Sequence, residues 1–228
     1  TGRWTDEKKQ RIRESRVDST LTLSEALARL GRPPGVLVCA SAVGYYGDRG
    51  DVELQEDSGA GSGFLSEVCR EWEGATLPAS ESGIRVVRLR LGAVLTPQGG
   101  ALAKMLPPFR MGLGGRLGSG DQYMSWVSLE DVVGVIYHAL ATPKLEGPVN
   151  CVSPRPVTNT EFTKTLGRVL MRPTLLPAPA RGMRMAFGEM ADALLLASTR
   201  AVPGRLKSSG YNFVDPELEG ALRRMLGK

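Results

Sequence analysis

Apolar and polar positions along this chain fall into blocks whose period changes. Residues 36–40, Val-Leu-Val-Cys-Ala, form a short apolar run between Pro33-Pro34-Gly35 and Ser41. A run bounded by breakers and lacking polar alternation predicts a strand buried on both faces, the kind a parallel sheet needs. Before it, Thr5 is placed to cap a helix reaching about Leu30, with Asp6 and Glu7 in its first turn. Ile12, Val17, Leu21, Leu27 and Leu30 give that helix an imperfect apolar face, and Gly31 stops it. After the strand, residues 47–63 are polar and turn-rich, a loop expected to lie over the strand's carboxyl end. Phe64, Val68, Trp72, Ala75 and Ala79 then recur at helical spacing, and Ile84 to Leu89 reads as a second buried strand, interleaved with Arg85, Arg88 and Arg90. Strand, one helix, strand is a parallel, right-handed crossover.

Further along, residues 99–110 predict a short helix broken at Pro107-Pro108. The glycine-rich stretch Gly112–Gly120 is not a phosphate-binding fingerprint, because a double proline precedes it and a strand, Met124 to Val127, follows. It reads instead as a flexible or tightly turned substrate loop. A helix runs from Glu130-Asp131 to about Ala141, and Val149 to Val152 is another strand. Thr158 and Glu161 form a capping box for a helix to about Met171. Beyond 172 the chain is rich in methionine, leucine and proline, and Asp215-Pro216-Glu217 predicts a helix start with Asp215 as its cap. The fold class that follows is α/β, a parallel sheet with a smaller, mostly helical C-terminal lobe.

Ligands of open α/β sheets bind beyond the carboxyl ends of the strands. Ser41, Tyr45 and Tyr46 fall there and are the first candidates for chemistry.

Composition narrows the options. The 29 basic and 24 acidic residues leave a net charge of +5, compatible with anionic small ligands and weak as a sign of a nucleic-acid partner. Cys39, Cys69 and Cys151 are odd in number and widely spaced in apolar surroundings, so they read as reduced core residues of a cytoplasmic protein. The single histidine, His138, sits within a helical apolar run, which argues against a histidine triad or a zinc centre. No run approaches the roughly 18 apolar residues of a membrane span, so a soluble protein with a small-molecule substrate is expected.

The order of these segments resembles a family. Ser41-Ala-Val-Gly-Tyr-Tyr-Gly47, Arg90-Leu-Gly92-Ala-Val94 and Trp126-Val-Ser-Leu-Glu-Asp131 follow one another as in the second half of extended short-chain dehydrogenases/reductases. Gly2-Arg3-Trp4-Thr5, Ser15-Arg16-Val17, Phe64-Leu65, Leu106-Pro-Pro-Phe-Arg110 and Gly188-Glu189-Met190-Ala191 are similar to the atypical branch called epimerase family proteins, the YfcH-like group of the NAD-dependent epimerase/dehydratase superfamily. The resemblance implies a Rossmann-like sheet that binds NADP or NAD, with NADP favoured, and a C-terminal lobe closing a substrate cleft. It divides the chain into residues 1–150, the later part of the cofactor domain with a substrate-loop insertion at about 99–126, and 151–228, the lobe. It sets Ser41 facing the nicotinamide, with Ala42 beside it and Gly92, Ala93 and Val94 on a turn at the same end. It brings Arg16 toward the cofactor, where a guanidinium suits a pyrophosphate oxygen. Tyr46, Arg110 and Trp126 become candidates for holding substrate.

Two departures from the family pattern shape the functional expectation. The family's opening strand, glycine-rich loop and helix, which grip the pyrophosphate, are not among these 228 residues, so the sheet is expected to be incomplete and the stretch to bind cofactor poorly. The Tyr-x-x-x-Lys proton relay of the wider superfamily is replaced by Leu65 and Cys69. The expected function is an atypical NAD(P)-binding oxidoreductase or epimerase-like protein, with Tyr45 or Tyr46 as substitute proton donors or as pocket walls. The alternative is a catalytically silent NADP(H)-binding sensor or interaction module. Asp131 reads as a helix cap or a catalytic acid.

Overall fold

Three parallel strands organise the computed structural model, which describes residues 2–228: β1 (Val36–Ala42), β3 (Arg85–Leu91) and β7 (Gly147–Cys151), side by side in that order. Val36 stands opposite Arg85 and Ala42 opposite Leu91, while Leu91 in turn faces Cys151, so the three carboxyl ends are level. On one face, α5 (Leu129–Ala141) packs Val135 and Ala139 onto Val87, Leu89 and Val149. On the other, Leu37, Val86, Ile84 and Ala79 form a smaller cluster with Leu27 of α1 (Asp6–Ala28).

The first strand differs from the expectation in two ways. It continues through Ser41 and Ala42, and in this sheet it is an edge strand: Val36 to Cys39 are half-buried and Ala40 is exposed. A short run of small apolar residues reads alike whether one face or both are covered, and the sequence pattern cannot separate the two. The expected N-cap of α1 is present, with Thr5 Oγ1 accepting from the Lys8 N–H. Its imperfect apolar face is partly used: Ile12, Val17 and Leu27 are half-buried, Leu27 against Ile84 and Val86, while Leu21 and Leu30 are exposed. Polar contacts also hold this helix. Ser24 Oγ accepts from the Ala79 N–H at 2.9 Å, and Thr20 Oγ1 accepts from the Trp72 indole at 2.9 Å.

Two helices, not one, separate β1 from β3: α2 (Phe64–Gly74) and α3 (Leu77–Glu81). The break falls just before Pro78, whose ring suits the first turn of a new helix and not the interior of an old one. The opposite happens at Pro107-Pro108, where α4 (Gly100–Arg110) runs on unbroken. Both prolines lie in its last turn, and the buried side chains of Leu106 and Phe109 anchor that turn to the core.

A second core lies beside the sheet. Leu102, Leu106 and Phe109 of α4 and Trp126 of β6 (Trp126–Ser128) pack against Phe162 and Leu166 of α6 (Asn159–Leu170) and Leu222 of α9 (Leu218–Leu226). The capping box at Thr158 and Glu161 is formed as expected. The last helix begins two residues later than expected, after Glu217, because the Asp215 carboxylate is taken by Arg224 instead of capping. Segment 47–63 is not a free lid. Its β2 (Glu53–Leu54) pairs with β9 (Arg200–Ala201), Asp48 accepts from the Ser198 N–H, and Glu56 accepts from the Arg205 N–H. The glycine-rich loop is tightly turned: a Cβ on Gly115 would overlap the Leu176 carbonyl, and Gly118 bonds to Ala178.

Candidate active site at the carboxyl ends of the strands

Past Ala42 the chain coils into one 3-10 turn, Val43–Tyr46, while β3 passes through Gly92 into β4 (Ala93–Thr96). Ala42, Val43, Gly92, Ala93 and Val94 are half-buried and small or apolar, and they make up the floor at the level end of the sheet, with Val43, Ala93 and Val94 each packed against a different core cluster. Glycine is required at 92 because the turn lies hard against β6. A Cβ there would come 2.7 Å from the Ser125 carbonyl oxygen, which already accepts from the Ala93 N–H at 2.8 Å.

Beneath this floor lies a buried polar network. Arg90 donates through Nε and Nη2 to the two oxygens of Glu73, at 2.8 and 2.9 Å, and both side chains are buried. Ser41 donates to Glu73 Oε1 at 2.8 Å. The third guanidinium nitrogen, Nη1, donates to the Tyr46 hydroxyl at 2.9 Å and to the Glu56 carbonyl at 3.1 Å. Tyr46 donates onward to Asn150 Oδ1 at 2.7 Å, and Asn150 Nδ2 donates to the carbonyls of Leu54 and Val202. Every nitrogen and oxygen of the buried pair thereby has a partner, the condition under which an interior ion pair is tolerated. Burial opposes the charge on Arg90, but its bonds to Glu73 and Tyr46 outweigh it and raise its pKa further. Burial raises the Tyr46 phenol above its ordinary value, and Arg90 only partly offsets it.

The candidate residues take distinct places. Ser41 points inward to Glu73. Tyr46 is fully buried and its hydroxyl is committed. Tyr45 is half-buried, with the Arg90 guanidinium 3.6 Å over its ring and Tyr46 edge-on at 5.4 Å; its hydroxyl makes no hydrogen bond among the described residues. Leu65 and Cys69 close over the 3-10 turn, at 3.5 and 3.8 Å from where a Gly44 Cβ would stand. Burial pushes the Cys69 thiol up to about 11, which leaves it protonated and inert at neutral pH.

Of the other candidates, Trp126 borders this floor, opposite Ala93 in the β4–β6 pair. Arg16 bonds to the carbonyl of Ile12 on its own helix and stands 5.5 Å over the Trp72 ring. Trp126 is a core residue whose indole donates to the Arg155 carbonyl. Arg110 is exposed and lines a separate concavity of about 430 Å³ with Leu170, Arg172, Leu226 and Lys228. Tyr46, Arg110 and Trp126 therefore do not converge on one pocket. Asp131 does not cap its own helix, a role taken by Ser128. It is buried, and it receives the Tyr211 hydroxyl and the N–H groups of Val214 and Asp215. The residues that sequence reasoning missed are Glu73, Glu56 and Asn150. A carboxylate four residues past Cys69, on the apolar side of an amphipathic helix, was the available signal for Glu73.

A level parallel sheet with its half-buried floor at the carboxyl ends defines a Rossmann-like α/β protein. The NAD dependent epimerase/dehydratase family matches residues 1–151, and the chain belongs to that family. Residues 178–225 match a separate domain of unknown function. The epimerase family protein MT2273 of Mycobacterium tuberculosis is 51% identical over 211 residues, which span 92% of this chain and 69% of that protein. The human epimerase family protein SDR39U1 is 36% identical over 225 residues, 98% of this chain and 76% of the relative. Its crystal structure with NADPH superposes with a TM-score of 0.94 at 35% identity, over 99% of this chain and 77% of that one. A nucleoside-diphosphate sugar epimerase from Corynebacterium glutamicum gives 0.81 at 36% identity, covering all of this chain and 45% of that one.

Proposed function

We propose that this chain forms the nicotinamide and substrate end of an NADP(H)-binding, epimerase-like oxidoreductase that works without a Tyr-x-x-x-Lys relay. The observation that carries the reading is the floor itself. Ala42, Val43 and Gly92-Ala93-Val94 are small or apolar and half-buried where parallel strands end together, which fits a flat nicotinamide ring. NADP is favoured over NAD because the human relative of the same fold was solved with NADPH. When bound, the cofactor would exchange a hydride with the substrate carbon. The chain's own part is to hold that floor rigid through Arg90, Glu73 and Ser41, and to present Tyr45, whose free hydroxyl is the better placed of the two phenols to meet a substrate oxygen. The division into a cofactor part up to about residue 150 and a C-terminal lobe belongs to this reading.

A second reading keeps the pocket and drops the chemistry. It is favoured by the locked Tyr46 hydroxyl and by the apolar contacts of Leu65 and Cys69 where a relay would stand. In that case the protein is an NADP(H)-dependent sensor or interaction module.

Fluorescence titration of the whole gene product with NADPH and NADH comes first, followed by turnover with a panel of carbonyl compounds and nucleotide sugars. Cofactor binding with oxidation or isomerisation of any panel member supports the oxidoreductase; binding without turnover across the panel supports the sensor. Failure to bind either cofactor sinks both. The 228 residues alone are expected to bind NADPH more weakly than micromolar, because they hold no glycine-rich strand–helix turn for the pyrophosphate.

A further inference from the structure

Two segments distant in sequence run side by side. Arg172 Nε donates to the Arg110 carbonyl at 2.9 Å, Pro173 lies 3.6 Å from where a Gly112 Cβ would stand, and Ala178 N–H bonds to the Arg116 carbonyl. Together they carry five large apolar side chains in the open: Met111 (65% exposed), Leu113 (55%), Met171 (75%), Leu175 (82%) and Leu176 (54%). A soluble surface seldom gathers that many projecting apolar groups without a use for them.

Both segments are basic in sequence, although Arg168 and Arg184 pair with Glu219 and Asp192 from neighbouring segments. Residues 104–118 hold Lys104, Arg110 and Arg116 and no carboxylate, and residues 162–188 hold Lys164, Arg168, Arg172, Arg181 and Arg184 and none. With 24 acidic residues in the chain, their exclusion from both adjoining segments is a local feature and not a result of composition. Among the described residues, Arg110, Arg116, Arg172, Arg181 and Lys228 make no ion pair. Part of this charge complements helix ends, since α4 and α6 both finish beside it. That accounts for Arg110 and Arg168 but not for Arg116 or Arg181, which lie outside the last turn of any helix.

We propose that this ridge is a docking surface for an anionic membrane, with Met111, Leu113, Leu175 and Leu176 entering the headgroup region and the surrounding arginines meeting acidic lipid. Projection decides between occupants. An amphipathic helix of a partner protein would need a groove whose walls shield the apolar groups, whereas exposures of 75% and 82% at Met171 and Leu175 belong to a crest. No helix here is long and apolar enough to cross a bilayer among the described residues, so the contact is superficial. It stands independently of the cofactor reading.

The test is co-sedimentation of the protein with phosphatidylcholine vesicles, with and without phosphatidylserine. Binding is expected only with phosphatidylserine and is weakened by salt. The double substitution Arg110→Gln with Arg172→Gln should lower the partition coefficient by roughly fivefold per charge removed. Leu175→Ser with Leu176→Ser should reduce binding at least tenfold. Both positions are exposed, and near-UV circular dichroism of each variant, unchanged, shows that the fold is kept. The proposal is overturned by absence of binding to the acidic vesicles. It is equally overturned if the leucine variant binds like the parent, which would leave only diffuse attraction by net charge, or if the ridge instead retains an acidic protein while ignoring vesicles.

Discussion

Ser41 donates its hydroxyl hydrogen bond to Glu73 inside the protein, across 2.8 Å, and does not present it at the surface. Glu73 already holds both arms of Arg90, so the serine is its third donor. Ser41→Ala removes one bond to a buried carboxylate that stays paired, and it should cost about 1.5–3 kcal/mol in urea unfolding. NADPH affinity of the whole gene product should change less than threefold. A loss of tenfold or more at unchanged stability would mean that the hydroxyl reaches the cofactor after all.

Removing either charge of the buried pair is expected to be far worse than removing the serine. Arg90→Met leaves Glu73 buried and unpaired and also strips the Tyr46 hydroxyl and the Glu56 carbonyl of a donor, so a loss of about 3–5 kcal/mol is expected. Arg90→Lys should recover little, because a single ammonium cannot make the forked contact to Glu73 and reach Tyr46 as well. Thermal unfolding monitored at the same pH for the three proteins gives the ranking: parent, then lysine, then methionine. Near-parental melting of the methionine variant would show that the network contributes shape and not stability.

The parallel order of the strands, the helix caps at Thr5 and Thr158 and the glycine-rich loop were legible in the sequence because each rests on a local pattern. The polar network was not, because its members come from six separate segments. Arg90 reads as one of three arginines in a strand, and only the approach of α2 distinguishes it from Arg88, whose Nε finds no partner. The sequence offers Tyr45 or Tyr46 as a proton donor or pocket wall and does not separate them; the 3-10 turn does, turning one hydroxyl inward and leaving the other without a hydrogen bond among the described residues. Pro107-Pro108 misled for the converse reason. A helix-breaking signal counts for less where a helix is about to end anyway.

The cysteines give the protein an alkaline limit. Burial pushes Cys69 up to about 11 and Cys151 up to about 12, in both cases above the usual thiol value near 9. A thiol whose folded pKa is raised stabilises the fold below the unfolded value, and that contribution is lost as pH climbs through the folded value. Stability should therefore be flat in this respect up to about pH 9 and fall above it, by about 2 kcal/mol from Cys69 alone at pH 11. Cys69→Ala and Cys151→Ala should each flatten the decline in urea midpoints between pH 9 and 11. An unchanged slope in both would assign the decline to other groups.

Gly92 and Gly99 offer a matched pair. Both have ordinary backbone angles for any residue, but a Cβ at 92 meets the Ser125 carbonyl at 2.7 Å, whereas at 99 nothing stands within 4 Å. Gly92→Ala should cost about 1–3 kcal/mol by forcing the turn away from β6, and it should weaken NADPH binding because Ala93 and Val94 move with it. Gly99→Ala should leave both within error. Equal effects at the two positions would remove the steric argument.

Asp131 tests how the C-terminal segment is held. Its Oδ1 accepts from the Tyr211 hydroxyl at 2.9 Å and the Val214 N–H at 2.8 Å, and its Oδ2 from the Asp215 N–H and Ser128 hydroxyl, both at 3.0 Å. Asp131→Ala strands the Asp215 N–H and the other donors together, which should cost about 2–5 kcal/mol. Tyr211→Phe removes one donor and leaves the carboxylate satisfied by the rest, so about 1 kcal/mol is expected. Limited proteolysis separates local from global loss: the alanine variant should be cut within 211–217 before the sheet unfolds, because the contact ties that segment to the first turn of α5. Cleavage elsewhere first, or equal sensitivity of both variants, would place the carboxylate's role in the helix and not in the tether.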